Sequence, residues 1–186
     1  MSRFTTTALP LAGLQLLERQ HLRDARGFLS RLFCADELHS AGWTQPIAQL
    51  NHTRTERTGT VRGMHYQRAP HAETKLVSCI RGAVWDVAVD LRRGSPTFLQ
   101  WHGQHLSADN GQALLIPPGF AHGFQALEDG AELLYCHSAP YVPTAEAALQ
   151  ALDARLGIAW PLPVADMSPR DQTHARLTED FEGEPL

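Results

Sequence analysis

The stretch Ala83-Val-Trp-Asp-Val-Ala-Val-Asp-Leu91 decides the fold class, because its side chains alternate with the two-residue period of a β-strand. Successive side chains of a strand point to opposite faces, so Val84, Asp86, Ala88 and Asp90 share one face. The other face is entirely apolar. The turn residues Arg93-Gly-Ser-Pro96 end the pattern. The stretch therefore predicts a β-strand followed by a turn.

Seven further segments predict short strands, at residues 46–52, 58–66, 75–80, 98–106, 112–116, 123–127 and 132–138. Turn signals such as Ala108-Asp-Asn-Gly111 and Pro117-Pro-Gly119 separate them. Strands that recur about every 8 to 12 residues are typical of an antiparallel sandwich or barrel. We therefore predict an all-β jelly roll with short peripheral helices.

The composition fits a single domain of 186 residues. We divide it into an N-terminal arm at 1–45, a jelly-roll core at 46–140, and a C-terminal helix and tail at 141–186. Asp36 is expected to cap a short helix that ends at Gly42, and residues 144–152 are predicted as the C-terminal helix.

Charge and cysteine content exclude several classes of protein. A net charge of −4 and a pI near 6.2 give no basic surface for nucleic acid, and no apolar run approaches the roughly 18 residues of a membrane span. The first ten residues lack the pattern of a signal peptide. Three widely spaced cysteines favour reduced thiols, so we expect a cytoplasmic protein.

The segment Gly59-Thr-Val-Arg-Gly-Met-His-Tyr-Gln67 concentrates groups that can carry chemistry. Simple alternation places His65 and Gln67 on one face with Val61, and Arg62 on the opposite face with Met64 and Tyr66. His65 is either a base facing a cavity or a core histidine bonded to a carbonyl group.

The chain has fifteen arginines and a single lysine, Lys75. A lysine is a compact donor that suits a charge held against a developing oxyanion, although a chance surface lysine is the alternative.

Two spaced motifs connect these residues. Gly59 precedes His65 by six positions, and Gly111, Pro117, Gly119 and His122 follow the spacing G-x5-P-x-G-x2-H. This pair resembles the motifs of the cupin superfamily, which implies a cupin-type jelly roll, or double-stranded β-helix, with its site inside the barrel. Usual cupins bind a metal there, and the corresponding positions hold His65, Gln67, Lys75 and His122. A lysine would repel a divalent cation, so we expect no metal.

Several longer motifs occur together in one order: Arg62-Gly-Met-His-Tyr-Gln67, Lys75-Leu-Val77, Val87-Ala-Val-Asp-Leu-Arg92, Ser95-Pro-Thr97, Ile116-Pro-Pro-Gly-Phe-Ala-His-Gly-Phe124 and Leu156-Gly-Ile-Ala-Trp-Pro161. With them the chain closely resembles the dTDP-4-dehydrorhamnose 3,5-epimerase family, from about residue 16 to 170. The resemblance implies acid/base chemistry without metal or redox cofactor on a nucleotide-linked 4-keto-6-deoxyhexose. Removing the hydrogen at C3 or C5 gives an enolate, and returning a proton to the opposite face inverts that carbon.

The resemblance also implies residue roles. His65 takes the position of the base, Asp171 that of the carboxylate that orients it, Tyr135 that of the proton donor, and Lys75 that of the enolate stabiliser. Positions that hold the substrate are occupied by Arg26, Gln49, Asn51, Arg62, His122, Tyr141, Glu146 and Arg170. The family further implies a homodimer, with the arm around Arg26 entering the partner's site.

The chain departs from the family pattern at Arg31, Cys136 and Ala151, which bears on the nucleotide and the sugar rather than on the reaction type. Three alternatives therefore accompany the leading interpretation. They are an epimerase acting at C3 only or C5 only on another nucleotide-linked ketosugar, a metal-dependent cupin enzyme, and a non-catalytic nucleotide-sugar-binding cupin.

Overall fold

The computed structural model describes residues 2–186, and within them the chain forms thirteen short strands and two short helices. The strands are β1 Phe4–Ala8, β2 Gln15–Arg19, β3 His21–Asp24, β4 Gly27–Ser30, β5 Gln49–Thr55, β6 Val61–Gln67, β7 Lys75–Arg81, β8 Ala83–Asp90, β9 Trp101–Ser107, β10 Gln112–Ile116, β11 Phe120–Ala126, β12 Ala131–His137 and β13 Glu146–Ala148. The helices are α1 Ala35–His39 and α2 Pro169–Gln172. Neither helix in this part of the chain is long and apolar enough to cross a membrane.

Two antiparallel sheets make up the body of the protein. One has the strand order β1-β2-β10-β7-β12-β5 and the other β13-β6-β11-β8-β9, while β3 and β4 form a separate hairpin. An apolar cluster joins the sheets, with Val77 and Leu114 from the first and Val84 and Phe124 from the second. The predicted all-β jelly roll is confirmed.

Strand β8 has the predicted alternation. Val84 and Ala88 lie in the cluster between the sheets, whereas Val87 and Val89 pack in a second cluster. Asp86 is fully buried on the same strand face as Val84, which has consequences for the site described below.

Strand β6 does not follow simple alternation, and the placement of Arg62 opposite His65 was wrong. His122 pairs with His65 but Phe124 pairs with Arg62, so β6 has one residue more than β11 between the two pairs. An extra residue reverses the alternation and brings the Arg62 and His65 side chains to one face. The strands can approach closely here because Gly63 meets Gly123: a Cβ on Gly63 would lie 2.6 Å from the Gly123 Cα.

The predicted helix at residues 144–152 is also wrong. Residues Glu146–Ala148 form β13 and pair with β6, with Ala148 opposite His65. Helix propensity is a weak preference that strand pairing and burial override, and the neighbouring Leu149 is buried in the second cluster.

The N-terminal arm is part of the main fold. Its strands β1 and β2 pair with each other, and β2 pairs with β10, so they extend the six-stranded sheet.

Candidate active site

A cavity of about 520 Å³ opens between the two sheets, and we call it the interlayer cavity. Its walls come from β5, β6, β7, β11 and β12, and the segment from residue 139 to 171 borders it. The size and the mixed polar and apolar lining suit a small-molecule ligand. The predicted site residues that line it are Gln49, Asn51, Arg62, His65, Lys75, His122, Tyr135, Tyr141, Glu146, Arg170 and Asp171.

His65 and Asp171 form a hydrogen-bonded pair across 106 residues of sequence. His65 Nε2 donates to Asp171 Oδ1 at 2.8 Å, and the imidazole is 37% exposed at the cavity wall. Ser168 caps α2 and accepts from the Asp171 N–H, which fixes the carboxylate on the first turn. With Nε2 bound to the carboxylate, Nδ1 is the ring nitrogen that can accept a proton.

The Asp171 carboxyl is held in its charged form. Burial by itself would raise its pKa, but the hydrogen bond and charge of His65, the Gly63 N–H and the charge of His174 outweigh burial, so the pKa lies below its ordinary value. A buried carboxylate beside an imidazole stabilises the imidazolium that forms when the ring accepts a proton.

Lys75 is buried on β7 and has a buried counter-ion. Its Nζ lies 3.2 Å from Glu73 Oε1 and donates to the His65 carbonyl oxygen at 3.1 Å. The other Glu73 oxygen accepts from Gln67 Nε2 at 2.6 Å. The usual metal-binding positions of a cupin are thus occupied by an ammonium group and an amide that are already bound to a carboxylate. This donor set does not fit a divalent cation.

Tyr135 lies on β12, which is the neighbour of β7 in the same sheet, and it pairs with Val77. Burial and the nearby Asp86 carboxylate raise the pKa of its phenol, so the hydroxyl remains protonated and can donate. The Tyr135 ring meets the His122 ring edge-on at 5.7 Å. His122 Nε2 donates to the buried Asp86 Oδ1 at 2.8 Å, which makes a second histidine–carboxylate pair in the wall.

Polar side chains at the rim bind one another. Arg170 Nη2 lies 2.5 Å from Glu146 Oε1, and the Tyr141 hydroxyl donates to the other Glu146 oxygen at 2.7 Å. Within β5, Gln49 Nε2 donates to Asn51 Oδ1 at 3.1 Å, and Gln49 Oε1 accepts from the Tyr141 N–H at 3.0 Å. The rim therefore has amide, carboxylate and guanidinium groups in one connected arrangement.

Arg26 is the predicted site residue that the fold does not bring to the interlayer cavity. It lies at the turn between β3 and β4, pairs with Asp24, and has a side chain that is 90% exposed. Within residues 2–186 of this chain it has no place in the cavity lining.

Sequence reasoning missed three titratable partners of the site: Glu73, Asp86 and His174. Asp86 could have been found, because the alternation of β8 puts an acid on the face that turns inward. Glu73 and Lys75 are two residues apart, as neighbours on one face of a strand are. Glu73, however, precedes the first residue of β7, so the alternation of strand side chains did not predict its direction. His174 contacts Asp171 one helical turn later, and only the position of α2 shows that this turn faces His65.

The departures from the family pattern lie away from the cavity wall. Arg31 pairs with Glu37 of α1, while Cys136 and Ala151 are buried in apolar clusters.

Comparison with known proteins agrees with this geometry. The family model described as dTDP-4-dehydrorhamnose 3,5-epimerase matches residues 8–179. A Sinorhizobium fredii protein of that name is 37% identical over 92% of this chain and 89% of its own length. A Streptomyces niveus protein named dTDP-4-dehydrorhamnose 3-epimerase is 38% identical over 92% of this chain and 83% of its own length.

Among solved structures, a Legionella pneumophila dTDP-6-deoxy-D-glucose-3,5-epimerase in complex with dTDP-4-keto-L-rhamnose superposes with a TM-score of 0.85 and 39% identity, covering 90% of this chain and 89% of that one. The predicted cupin-type fold and the resemblance stated above are both confirmed. Because the family match spans nearly the whole sequence, this protein belongs to the dTDP-4-dehydrorhamnose 3,5-epimerase family.

Proposed function

We propose that this protein inverts C3 and C5 of dTDP-4-dehydro-6-deoxy-D-glucose and so forms dTDP-4-dehydro-L-rhamnose. The observation that carries the proposal is the pairing of His65 with Asp171 on one wall of a cavity that also holds Tyr135 and Lys75. Family membership supports the substrate class, and the Legionella pneumophila complex was solved with dTDP-4-keto-L-rhamnose.

The first step removes a hydrogen next to the C4 ketone. His65 Nδ1 accepts the proton from C3 or C5, and the electron pair of the C–H bond moves to the ketone oxygen to give an enolate. Asp171 stabilises the imidazolium formed, and general base catalysis of this kind contributes roughly 10²- to 10⁴-fold. The Lys75 ammonium group, whose side chain is 9% exposed, supplies a positive charge for the enolate oxygen.

The second step returns a proton to the other face of the sugar. The enolate electrons re-form the ketone while the carbon takes the proton of the Tyr135 hydroxyl, which the raised pKa keeps protonated until this step. His65 then loses its proton to solvent and Tyr135 regains one. The step is redox-neutral, which agrees with the expectation that no redox cofactor is needed.

Substrate binding is assigned to the rim. Arg62 and Arg170 present the forked donors that suit diphosphate oxygens. Gln49, Asn51, His122 and Glu146 offer hydrogen bonds to the sugar and base, and Tyr141, half exposed at the opening, offers a ring on which a nucleobase can stack.

We also propose a homodimer in which Arg26 completes the site of the partner subunit. Arg26 does not line the cavity of its own chain, and the hairpin that bears it exposes Phe28 and Leu29, at 55% and 70%. Apolar side chains displayed in this way indicate an interface. Light scattering should give the mass of a dimer, and Arg26→Ala should raise KM without changing that mass. A monomeric protein with full activity would contradict this assignment.

The second candidate is a monoepimerase, because the Streptomyces niveus relative carries the name of a 3-epimerase. Both candidates use the same base and differ only in which carbon is presented to it.

The three cysteines are free thiols, which supports placing the protein in the reducing cytoplasm.

Solvent exchange tests the function. The protein is incubated with dTDP-4-keto-6-deoxyglucose in deuterated water and the sugar is examined by NMR. Label at C3 and C5 is expected, label at one carbon would indicate a monoepimerase, and no label would refute the proposal for this substrate. His65→Ala should abolish exchange at both carbons, whereas His105→Ala, at an exposed position of β9 outside the cavity, should leave it unchanged.

A further inference from the structure

His65, Asp171 and His174 bring three potential metal ligands together at one edge of the interlayer cavity. Their ligand atoms lie within 4.8 Å of one another, and no other such group of histidine, cysteine or acidic side chains occurs in residues 2–186. Asp171 Oδ1 is central, at 2.8 Å from His65 Nε2 and 3.2 Å from His174 Nε2. The two imidazole rings are nearly perpendicular, with centroids 5.7 Å apart.

We propose that these three residues form an inhibitory binding site for a divalent transition metal such as Zn²⁺. Two imidazole nitrogens and one carboxylate oxygen are a common zinc ligand set. Ligand atoms about 2.0–2.2 Å from a tetrahedral zinc lie about 3.3 Å from each other, a separation that His174 already has from Asp171. His65 Nε2, now 2.8 Å from the same oxygen, has to move away from it by about 0.5 Å, and the two imidazole nitrogens, which lie within 4.8 Å of each other, have to reach the same separation.

The surroundings of the cluster allow occupation by a metal ion. The His174 and Asp171 side chains are 15% and 6% exposed, so these two ligands are held in place by packing. His65 faces the cavity, from which water can supply a fourth ligand. Arg170, the rim cation that precedes Asp171 in the chain, is paired with Glu146, which offsets its charge.

A metal bound at this cluster inhibits the epimerase reaction because it changes the tautomer of the His65 imidazole. This step rests on the proposed function of His65 as the base. In the metal-free protein Nε2 carries the proton and Nδ1 is free to act as base. A metal bound to Nε2 requires the neutral ring to carry its proton on Nδ1 instead. The ring can then no longer accept a proton from the sugar, and Asp171 is no longer available to stabilise an imidazolium.

His174 is the one ligand of this metal site that no step of the proposed reaction uses. Substitutions at His174 therefore test the metal site apart from the catalytic groups. His174→Gln keeps a side chain that can donate a hydrogen bond to Asp171 but removes the imidazole ligand. His174→Ala removes both functions. His105→Ala removes an exposed histidine on β9 and serves as the matched control.

The test is calorimetric titration of chelator-treated full-length protein with ZnCl₂, together with the visible spectrum of the Co²⁺-loaded protein. We expect one site per chain with tetrahedral Co²⁺ bands in the wild type and in His105→Ala. His174→Gln and His174→Ala should weaken binding by at least about 10-fold. Equal affinity of all four proteins, or zinc located elsewhere by anomalous diffraction, would overturn the proposal.

Inhibition is measured separately as the ratio of solvent-exchange rates with and without Zn²⁺ in each variant. The wild type should be inhibited and the His174 variants should be at least about 10-fold less sensitive. Because calorimetry requires no substrate, a failure of the metal site and a failure of the proposed epimerase activity give different results. Metal binding at this cluster without inhibition would overturn the tautomer step.

Discussion

Replacing Glu73 with Gln should destabilise the protein more than any other single charge removal in the cavity wall. Glu73 is 8% exposed and contacts Lys75, Gln67 and His137. Burial alone would raise the pKa of its carboxyl, but the His137 imidazole at 3.8 Å, the charge of Lys75 and the hydrogen bond donated by Gln67 lower it to about 2. The folded protein thus strongly favours the carboxylate form.

The size of the expected loss of stability and its pH dependence follow from this shift in the pKa of Glu73. A pKa lowered from 4.5 to about 2 corresponds to about 3 kcal/mol of stability. Because the folded pKa is below the unfolded one, this stability is fully present above about pH 4.5 and is lost as the pH falls towards 2. Glu73→Gln also leaves the Lys75 ammonium buried without a counter-ion, and breaking a buried ion pair costs about 3–5 kcal/mol. We expect a loss of about 3 kcal/mol at neutral pH.

The assay is urea unfolding of wild type and variant at several pH values from neutral to about pH 3, with the midpoint and slope fitted together. Glu37→Gln is the matched control, because that carboxyl also has a pKa of about 2 but is held by the Arg3 N–H near the surface, where solvent screens the charge. The difference between wild type and Glu73→Gln should shrink as the pH falls. A loss no larger than that of Glu37→Gln, or one independent of pH, would refute the reasoning.

Three further substitutions test the site geometry. Gly123→Ala places a Cβ 2.7 Å from the Arg62 carbonyl oxygen, so thermal unfolding should report a loss of about 1–3 kcal/mol, and an unchanged midpoint would argue against the close strand contact. Asp171→Asn removes the charge that stabilises protonated His65 and should lower kcat by about 10²- to 10⁴-fold in steady-state assays, whereas an effect on KM alone would contradict its role. Asp86→Asn should reduce solvent exchange without unfolding the protein, as judged by circular dichroism, and full activity would show that the second histidine–carboxylate pair is only structural.

The sequence alone was sufficient for the fold class and for part of the site. Alternating side chains in β8 and the regular spacing of turn residues predicted an antiparallel jelly roll, because the two-residue period of a strand is a local property of the chain. The two glycine–histidine motifs selected His65 and His122, and the presence of one lysine among sixteen cationic side chains drew attention to Lys75.

Other features depended on contacts between distant residues. The alanine-rich run that contains β13 has good helix propensity, yet its pairing with β6 made it a strand, since strand pairing and burial outweigh a preference of a few tenths of a kcal/mol per residue. Arg62 reached the face of His65 only through a register shift that two glycines on neighbouring strands permit.

The partners of the charged groups were likewise decided by the tertiary structure. The sequence named a base, a lysine and an acid, but it gave no distances between them. The fold placed Glu73 against Lys75, Asp86 against His122, and both His65 and His174 against one oxygen of Asp171. Local periodicity determines which way a side chain points along its own strand, whereas the charge that it meets depends on how separate strands and α2 come together, and that is decided only when the two sheets pack.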